Sequence, residues 1–116
     1  MRKVRQDIKM IRGTTQVFDI GVTDATGSPY MLGSGEVLLF GVKAKPEDSE
    51  YVVLKPVTVG ANGVYTVNIA PEDTINVPYN RYVYDVGVQS GNNYYNIIPT
   101  SGFAILPNVT KWGDGA

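Results

Sequence analysis

Apolar and polar side chains alternate along most of this chain in short runs, which are separated by clusters of Gly, Asn, Asp and Pro. A period of two is typical of β-strands that bury one face, and the runs are rich in residues that favour strands. The pattern predicts consecutive strands in two packed antiparallel sheets. The apolar faces of the three clearest runs are Phe18, Ile20 and Val22; Leu38, Phe40, Val42 and Ala44; and Tyr82, Tyr84, Val86 and Val88.

Turn signals divide these strands from one another. Asn62-Gly63 lies between apolar runs at 57–59 and 64–67 and predicts a tight hairpin, because both residues tolerate a positive φ. Residues 71–75 begin with proline followed by two acids, which predicts one helical turn between strands. Residues 99–102 predict a turn between two final strands at 94–98 and 103–106.

The 116 residues suffice for one domain, because a second independent core would be too small to be stable. We predict an all-β, immunoglobulin-like antiparallel β-sandwich of about seven to nine strands, with one short helical turn near residues 71–75. The sandwich would span residues 12–110. Residues 1–11 would form an N-terminal arm or edge strand, and residues 111–116 a loose C-terminal tail.

Two residue types are absent from the sequence, and their absence excludes several kinds of catalytic and metal site. Cys and His are both absent, which excludes a Ser-His-Asp triad, a cysteine nucleophile and a His or Cys metal site. Glu36, Asp73 and Asp85 are candidates for carboxylate catalysis, but most acidic residues lie in predicted turns, where they are favoured for backbone reasons. We therefore expect no enzymatic activity, no catalytic residue, no small-molecule substrate and no cofactor.

Calcium is the one metal ion for which the sequence offers candidate ligands. It binds oxygen atoms, and the acidic loops at one end of a sandwich would bring such atoms together. No EF-hand pattern is present, and we assign no metal ligand. The acidic residues that would supply ligands are Glu47, Asp48 and Glu50, or Asp24, Glu72 and Asp73.

Positive charge is concentrated near the N-terminus, although the net charge is only −1. Arg2, Lys3 and Arg5 lie in a stretch without interleaved aromatics, so we expect a first strand or arm that docks on a neighbouring protein and not on nucleic acid, with a simple solvated edge as the alternative. Tyr94 and Tyr95 are adjacent, so one of them must face outward on a regular strand. That tyrosine is a candidate contact residue.

Tyr82 and Tyr84 belong to the buried face of their strand, and Asp73 lies upstream of them. We interpret the three as a structural corner, in which a buried tyrosine bonds its hydroxyl to nearby backbone. The sequence contains no apolar run of the ~20 residues that a membrane span needs, and no apolar region of a signal peptide. We therefore expect neither membrane contact nor export.

The order of several short motifs resembles the N-terminal, immunoglobulin-like domain of upper baseplate proteins from phages and prophages of Gram-positive bacteria. The resemblance covers roughly residues 12–110. The motifs are Arg12-Gly13-Thr14-Thr15, Phe18, Val22-Thr23-Asp24 with Gly27, Val37-Leu38-Leu39-Phe40-Gly41-Val42-Lys43, Val53-Leu54-Lys55, Asp73-Thr74, Tyr82-Val83-Tyr84-Asp85-Val86, Gly102-Phe103-Ala104-Ile105 and Val109-Thr110.

The resemblance implies a β-sandwich that attaches a receptor-binding assembly to a phage tail without catalysis. It implies other tail and baseplate proteins as partners, a homo-oligomer, and a place in the virion after assembly in the host cytoplasm. Members of that family usually continue into a helical stalk and a second domain, so this chain is either an excised domain or a single-domain relative. A carbohydrate-binding or adhesin-like sandwich, with an outward tyrosine stacked on a sugar, is the alternative.

Overall fold

The computed structural model describes residues 6–110, which form seven strands and one short helix. The predicted all-β class and the helical turn after residue 70 are confirmed. The elements in chain order are β1 (Ile8–Ile11), β2 (Gln16–Gly21), β3 (Glu36–Lys43), β4 (Val53–Val57), β5 (Val64–Ile69), α1 (Pro71–Thr74), β6 (Asn80–Ser90) and β7 (Asn93–Leu106). Within this range, no helix is long and apolar enough to cross a membrane.

The strands form two sheets of unequal size. The larger sheet has the order β1-β7-β6-β3-β4, and the smaller consists of β2 and β5. The second and fifth strands of the chain thus form one layer and the other five strands the second layer, so the fold is a β-sandwich. All pairs are antiparallel except β1 with β7, which run parallel, so the expected purely antiparallel sandwich is wrong at this one edge.

The core lies between the two sheets and is built from the alternating positions. Phe40 is fully buried at its centre, with ring centroids 6.0 Å from Phe18, 5.2 Å from Tyr84 and 6.1 Å from Phe103. Aromatic rings at these separations add to the stabilisation from burial alone. Ala44 is exposed, contrary to the prediction, because β3 ends at Lys43 and the chain turns away there.

The two-stranded sheet is too narrow to cover the five-stranded one, and loops complete the cover. Tyr30 and Leu32 pack on the edge of the core from the loop between β2 and β3. Tyr65 of β5 holds that loop, because its hydroxyl donates to the Tyr30 carbonyl oxygen and accepts from the Leu32 N–H, both at 2.8 Å. Side chains of this loop therefore cover part of the inner face of the larger sheet.

The predicted turn at Asn62-Gly63 is present, but the predicted hairpin is wrong. Asn62 and Gly63 have φ angles of 54° and 77°, and a single bridge joins Ala61 to Val64 across the turn. The strand before the turn, β4, pairs with β3, whereas β5 pairs with β2. The chain therefore crosses from the larger sheet to the smaller one at this turn. An Asn-Gly turn is compatible with such a crossover as well as with a hairpin, so the sequence alone does not distinguish the two.

The two final strands that the sequence predicts are one strand, β7. Pro99 does not end it, because the β6–β7 ladder shifts register between Tyr84 and Gly87. The shifts place extra residues of β7 at Pro99, and such a bulge tolerates a residue without an N–H. Ser101, buried just beyond, donates its hydroxyl to the Pro99 carbonyl oxygen at 2.8 Å.

Candidate functional site

The outer face of the five-stranded sheet carries the most distinctive surface of the molecule. Residues of β3, β4, β6 and β7 that point away from the core meet there, together with the loop that follows β3. They enclose an open pocket of about 270 Å³, which we call the tyrosine pocket. The side chains that line it include Lys43, Tyr51, Leu54, Asp85 and Tyr94.

Two tyrosine side chains approach the sheet closely because glycine occupies the strand position beside each of them. A Cβ at Gly41 of β3 would lie 2.7 Å from Cε1 of Tyr51, and a Cβ at Gly87 of β6 would overlap the end of the Tyr94 side chain. Glycine inside a strand often marks such a close approach. Tyr51 and Tyr94 remain about half exposed, at 49% and 52%. The pocket is therefore walled by two aromatic rings that solvent reaches.

Asp85 lies on the same face, opposite Gly41 in the ladder between β3 and β6. Partial burial raises the pKa of its carboxyl group, and the charge of Lys43 opposes that rise. Its one hydrogen bond in the described part of the chain comes from the Asn96 side-chain amide at a long 3.4 Å. Between residues 6 and 110 it forms no ion pair, so this half-buried carboxylate is weakly compensated.

Lys43 lies beside this carboxylate but contacts an aromatic ring instead. Its Nζ lies 4.6 Å from the centroid of the Tyr51 ring, a cation–π distance. Burial raises the pKa of the Tyr94 hydroxyl, and the nearby charge of Asp85 raises it further. The pocket thus combines two aromatic walls, one poorly solvated carboxylate and one cation at its edge.

Of the predicted contact residues, Tyr94 belongs to this pocket and Tyr95 does not. Tyr95 is exposed to nearly the same degree, at 55%, but it points to the opposite face of β7. There it borders a second cavity beside Tyr30 and Glu36. Arg2, Lys3 and Arg5 lie outside the described residues.

Two polar side chains that line the second cavity, Tyr30 and Glu36, are hydrogen-bonded to each other. The Tyr30 hydroxyl contacts both Glu36 carboxylate oxygens at 2.8 and 2.9 Å, and the Gly33 N–H donates to Glu36 Oε1 at 2.7 Å. These bonds lower the pKa of Glu36, the one from Gly33 most, and the bond to Glu36 raises the pKa of Tyr30. Glu36 therefore holds the loop before β3 in place.

The three residues interpreted as a structural corner have separate structural contacts. The Tyr82 hydroxyl donates to the Pro78 carbonyl oxygen at 2.7 Å, the arrangement of a tyrosine corner. The Tyr84 hydroxyl donates to the Gln6 carbonyl oxygen and ties the chain before β1 to β6. Asp73 accepts from the Ala70 N–H at 2.7 Å and forms an ion pair with Lys55 at 2.8 Å.

The acidic side chains are dispersed. Among the described residues, no three of them come close enough together to hold a metal ion. Asp24, one of the loop candidates for calcium, accepts hydrogen bonds from the backbone of Thr26 and Ser28 at 2.9 and 3.1 Å. Of the three candidates for carboxylate catalysis, Glu36 and Asp73 are engaged in loop and helix contacts, whereas Asp85 lines the tyrosine pocket.

The sequence did not predict that Tyr51 and Lys43 belong to a site, nor that Asp85 shares a pocket with them. A signal was present in the sequence: Gly41 and Gly87 interrupt the middle of strongly apolar strands, where glycine indicates that another group approaches the backbone closely. No protein-family model matches this chain, and no curated protein matches it either.

Proposed function

We propose that this β-sandwich is a non-enzymatic attachment domain of a phage or prophage tail, in the baseplate, and that it acts by protein–protein contact. The observation that carries the proposal is the tyrosine pocket. Half-exposed aromatic rings around a poorly solvated polar group are typical of the centre of a protein interface, where tyrosine is enriched. The order of short motifs between residues 12 and 110, which resembles upper baseplate proteins, supplies the tail context.

The position of the pocket supports this function. It lies on the broad five-stranded sheet, so its strand residues are held by ladders on both sides of β3 and β6, while Tyr51 comes from the loop that follows β3. Rigid strands order few groups when a partner binds, which lowers the entropic cost of association. In this proposal the partners are other tail proteins or further copies of the chain, assembled in the host cytoplasm and retained in the virion.

Substitution of the pocket tyrosine tests the proposal, with its neighbour as the matched control. Tyr94→Ser should weaken co-purification with tail particles and lower the oligomeric mass in light scattering. Tyr95→Ser removes an equally exposed tyrosine from the opposite face and should leave both unchanged. A monomer that is missing from purified particles in its wild-type form would contradict the attachment function.

A carbohydrate-binding function is the second candidate, and the same pocket favours it. Tyr51 and Tyr94 offer faces on which a sugar ring stacks, while Asp85 and Lys43 offer hydrogen-bond partners. The pocket is slightly smaller than the ~300–1,000 Å³ of usual small-ligand sites, which suits one sugar unit at most. A glycan array read with and without calcium tests it, and silence in both would eliminate it.

A further inference from the structure

We propose that the tyrosine pocket receives an arginine side chain of a protein partner, with the guanidinium bound to Asp85 and stacked between Tyr51 and Tyr94. This inference rests on the proposed attachment function and names the chemistry that its partner presents. It is carried by the shape of the pocket, by the state of its carboxylate and by the position of Lys43.

The pocket has the size and walls that suit one long, flat side chain. The pocket holds about 270 Å³, and Tyr51, Leu54 and Tyr94 are among the side chains that line it. Guanidinium groups are planar, stack on aromatic faces and are less strongly hydrated than an ammonium group. An arginine therefore loses little hydration on entering this space and gains two aromatic contacts.

Asp85 supplies the charge complement. Its carboxylate is half-buried, and between residues 6 and 110 it has only the long hydrogen bond from Asn96 and no ion pair. A carboxylate accepts two parallel N–H bonds from one guanidinium, which is stronger than a neutral hydrogen bond. Arginine thus compensates a group that the isolated domain leaves poorly satisfied.

Lys43 occupies part of the place that the guanidinium would take. Its ammonium lies over the Tyr51 ring, so it must move when another cation stacks there. Removing this lysine charge should therefore strengthen arginine binding. A sugar would instead lose a hydrogen-bond donor, so the sign of the Lys43 effect separates the two kinds of ligand.

Nuclear magnetic resonance titration of the domain tests the inference directly. The probe is an acetylated and amidated Gly-Arg-Gly peptide, and the matched control is the same peptide with citrulline, which keeps the shape and lacks the charge. The arginine peptide should shift the amide signals of Gly41 and Gly87 in a saturable manner, and the citrulline peptide should not.

Variants assign the effect to individual side chains. Asp85→Asn should weaken arginine binding about tenfold, as expected for the loss of a charge-assisted bond. Lys43→Met should strengthen it, and Tyr95→Ser should leave it unchanged. Equal shifts from both peptides, full binding by Asp85→Asn with dispersed signals that show an intact fold, or weaker binding by Lys43→Met would each overturn the inference.

The attachment function and the arginine inference can be tested independently of each other. If the domain co-purifies with tail particles and Asp85→Asn does so equally well, the attachment function stands and the arginine inference is wrong. If the peptide binds as described but no tail protein accompanies the domain, the pocket chemistry is correct and the attachment function is wrong.

Discussion

The ring of Tyr94 lies against the backbone of Gly87, in the space that any side chain at position 87 would occupy. The two residues belong to neighbouring strands, β7 and β6, and the missing side chain at position 87 allows the end of the Tyr94 side chain to approach the sheet. Since Tyr51 lies over Gly41 in the same way, glycines in two adjacent strands shape one wall each of the pocket.

Gly87→Ala should remove the Tyr94 ring from the sheet and weaken arginine binding. The ring is half exposed and free to turn into solvent, so the free energy of unfolding should change by no more than about 1 kcal/mol. Nuclear Overhauser contacts between the Tyr94 ring and the residue 87 α-protons should disappear. Gly21→Ala is the control, because its Cβ meets no atom within 4 Å and should leave these contacts in place. Persistence of the contacts in Gly87→Ala would contradict the proposed packing.

Asp85→Asn should stabilise the isolated domain at neutral pH. Burial raises the folded-state pKa of Asp85 above its unfolded value, so the ionised carboxylate lowers stability above that pKa, and the penalty disappears as the pH falls. The gain should be below about 1 kcal/mol, because the side chain is partly exposed and solvent screens its charge. Urea unfolding of both proteins at neutral pH and near pH ~4 measures it. Asp19→Asn, on the exposed face of β2, serves as the comparison and should bring no such gain. A destabilised Asp85→Asn protein at neutral pH would show that the carboxylate supports the fold.

Tyr82→Phe should lower the free energy of unfolding by about 1 kcal/mol. The substitution removes the hydrogen bond to the Pro78 carbonyl oxygen and leaves that acceptor without its partner near the start of β6. Denaturant unfolding gives the value. Tyr79→Phe removes a hydroxyl with a longer, exposed bond of 3.3 Å to Asn108 and should cost clearly less. Equal losses in the two variants would argue against a special role for the corner.

Stability should decline in alkaline solution in part through Tyr84. Burial, with a smaller contribution from the charge of Asp7, raises the pKa of Tyr84 to about 12 in the folded state. The unfolded value is about 10, so the folded protein retains this proton more strongly, and the associated stability is lost as pH rises from about 10 to about 12. Unfolding by urea at a series of alkaline pH values should show a shallower decline for Tyr84→Phe than for the wild-type protein. Parallel declines would rule out Tyr84 as a contributor.

Local sequence was sufficient for the strand faces and for the single helical turn. Period-two alternation places Leu38, Phe40 and Val42 inside because any regular strand with these residues must bury that face. The start of α1 follows from proline and acids at its first turn. The turn predicted at Pro99 is wrong, because β7 has a bulge there. A bulge tolerates a proline that a regular central strand would exclude.

By itself, then, the sequence determined that this protein is built of strands with one apolar face each, that Asn62-Gly63 turns sharply, and that catalysis by cysteine or histidine is excluded. Only the tertiary structure decided that β4 pairs with β3, that Tyr94 and not Tyr95 lies in the pocket, and that Tyr51 meets Asp85 there. The physical reason is the sequence distance over which each interaction acts. Alternation and turn propensity act between neighbouring residues, whereas the pocket depends on strand register across β3, β6 and β7, which the whole core sets at once.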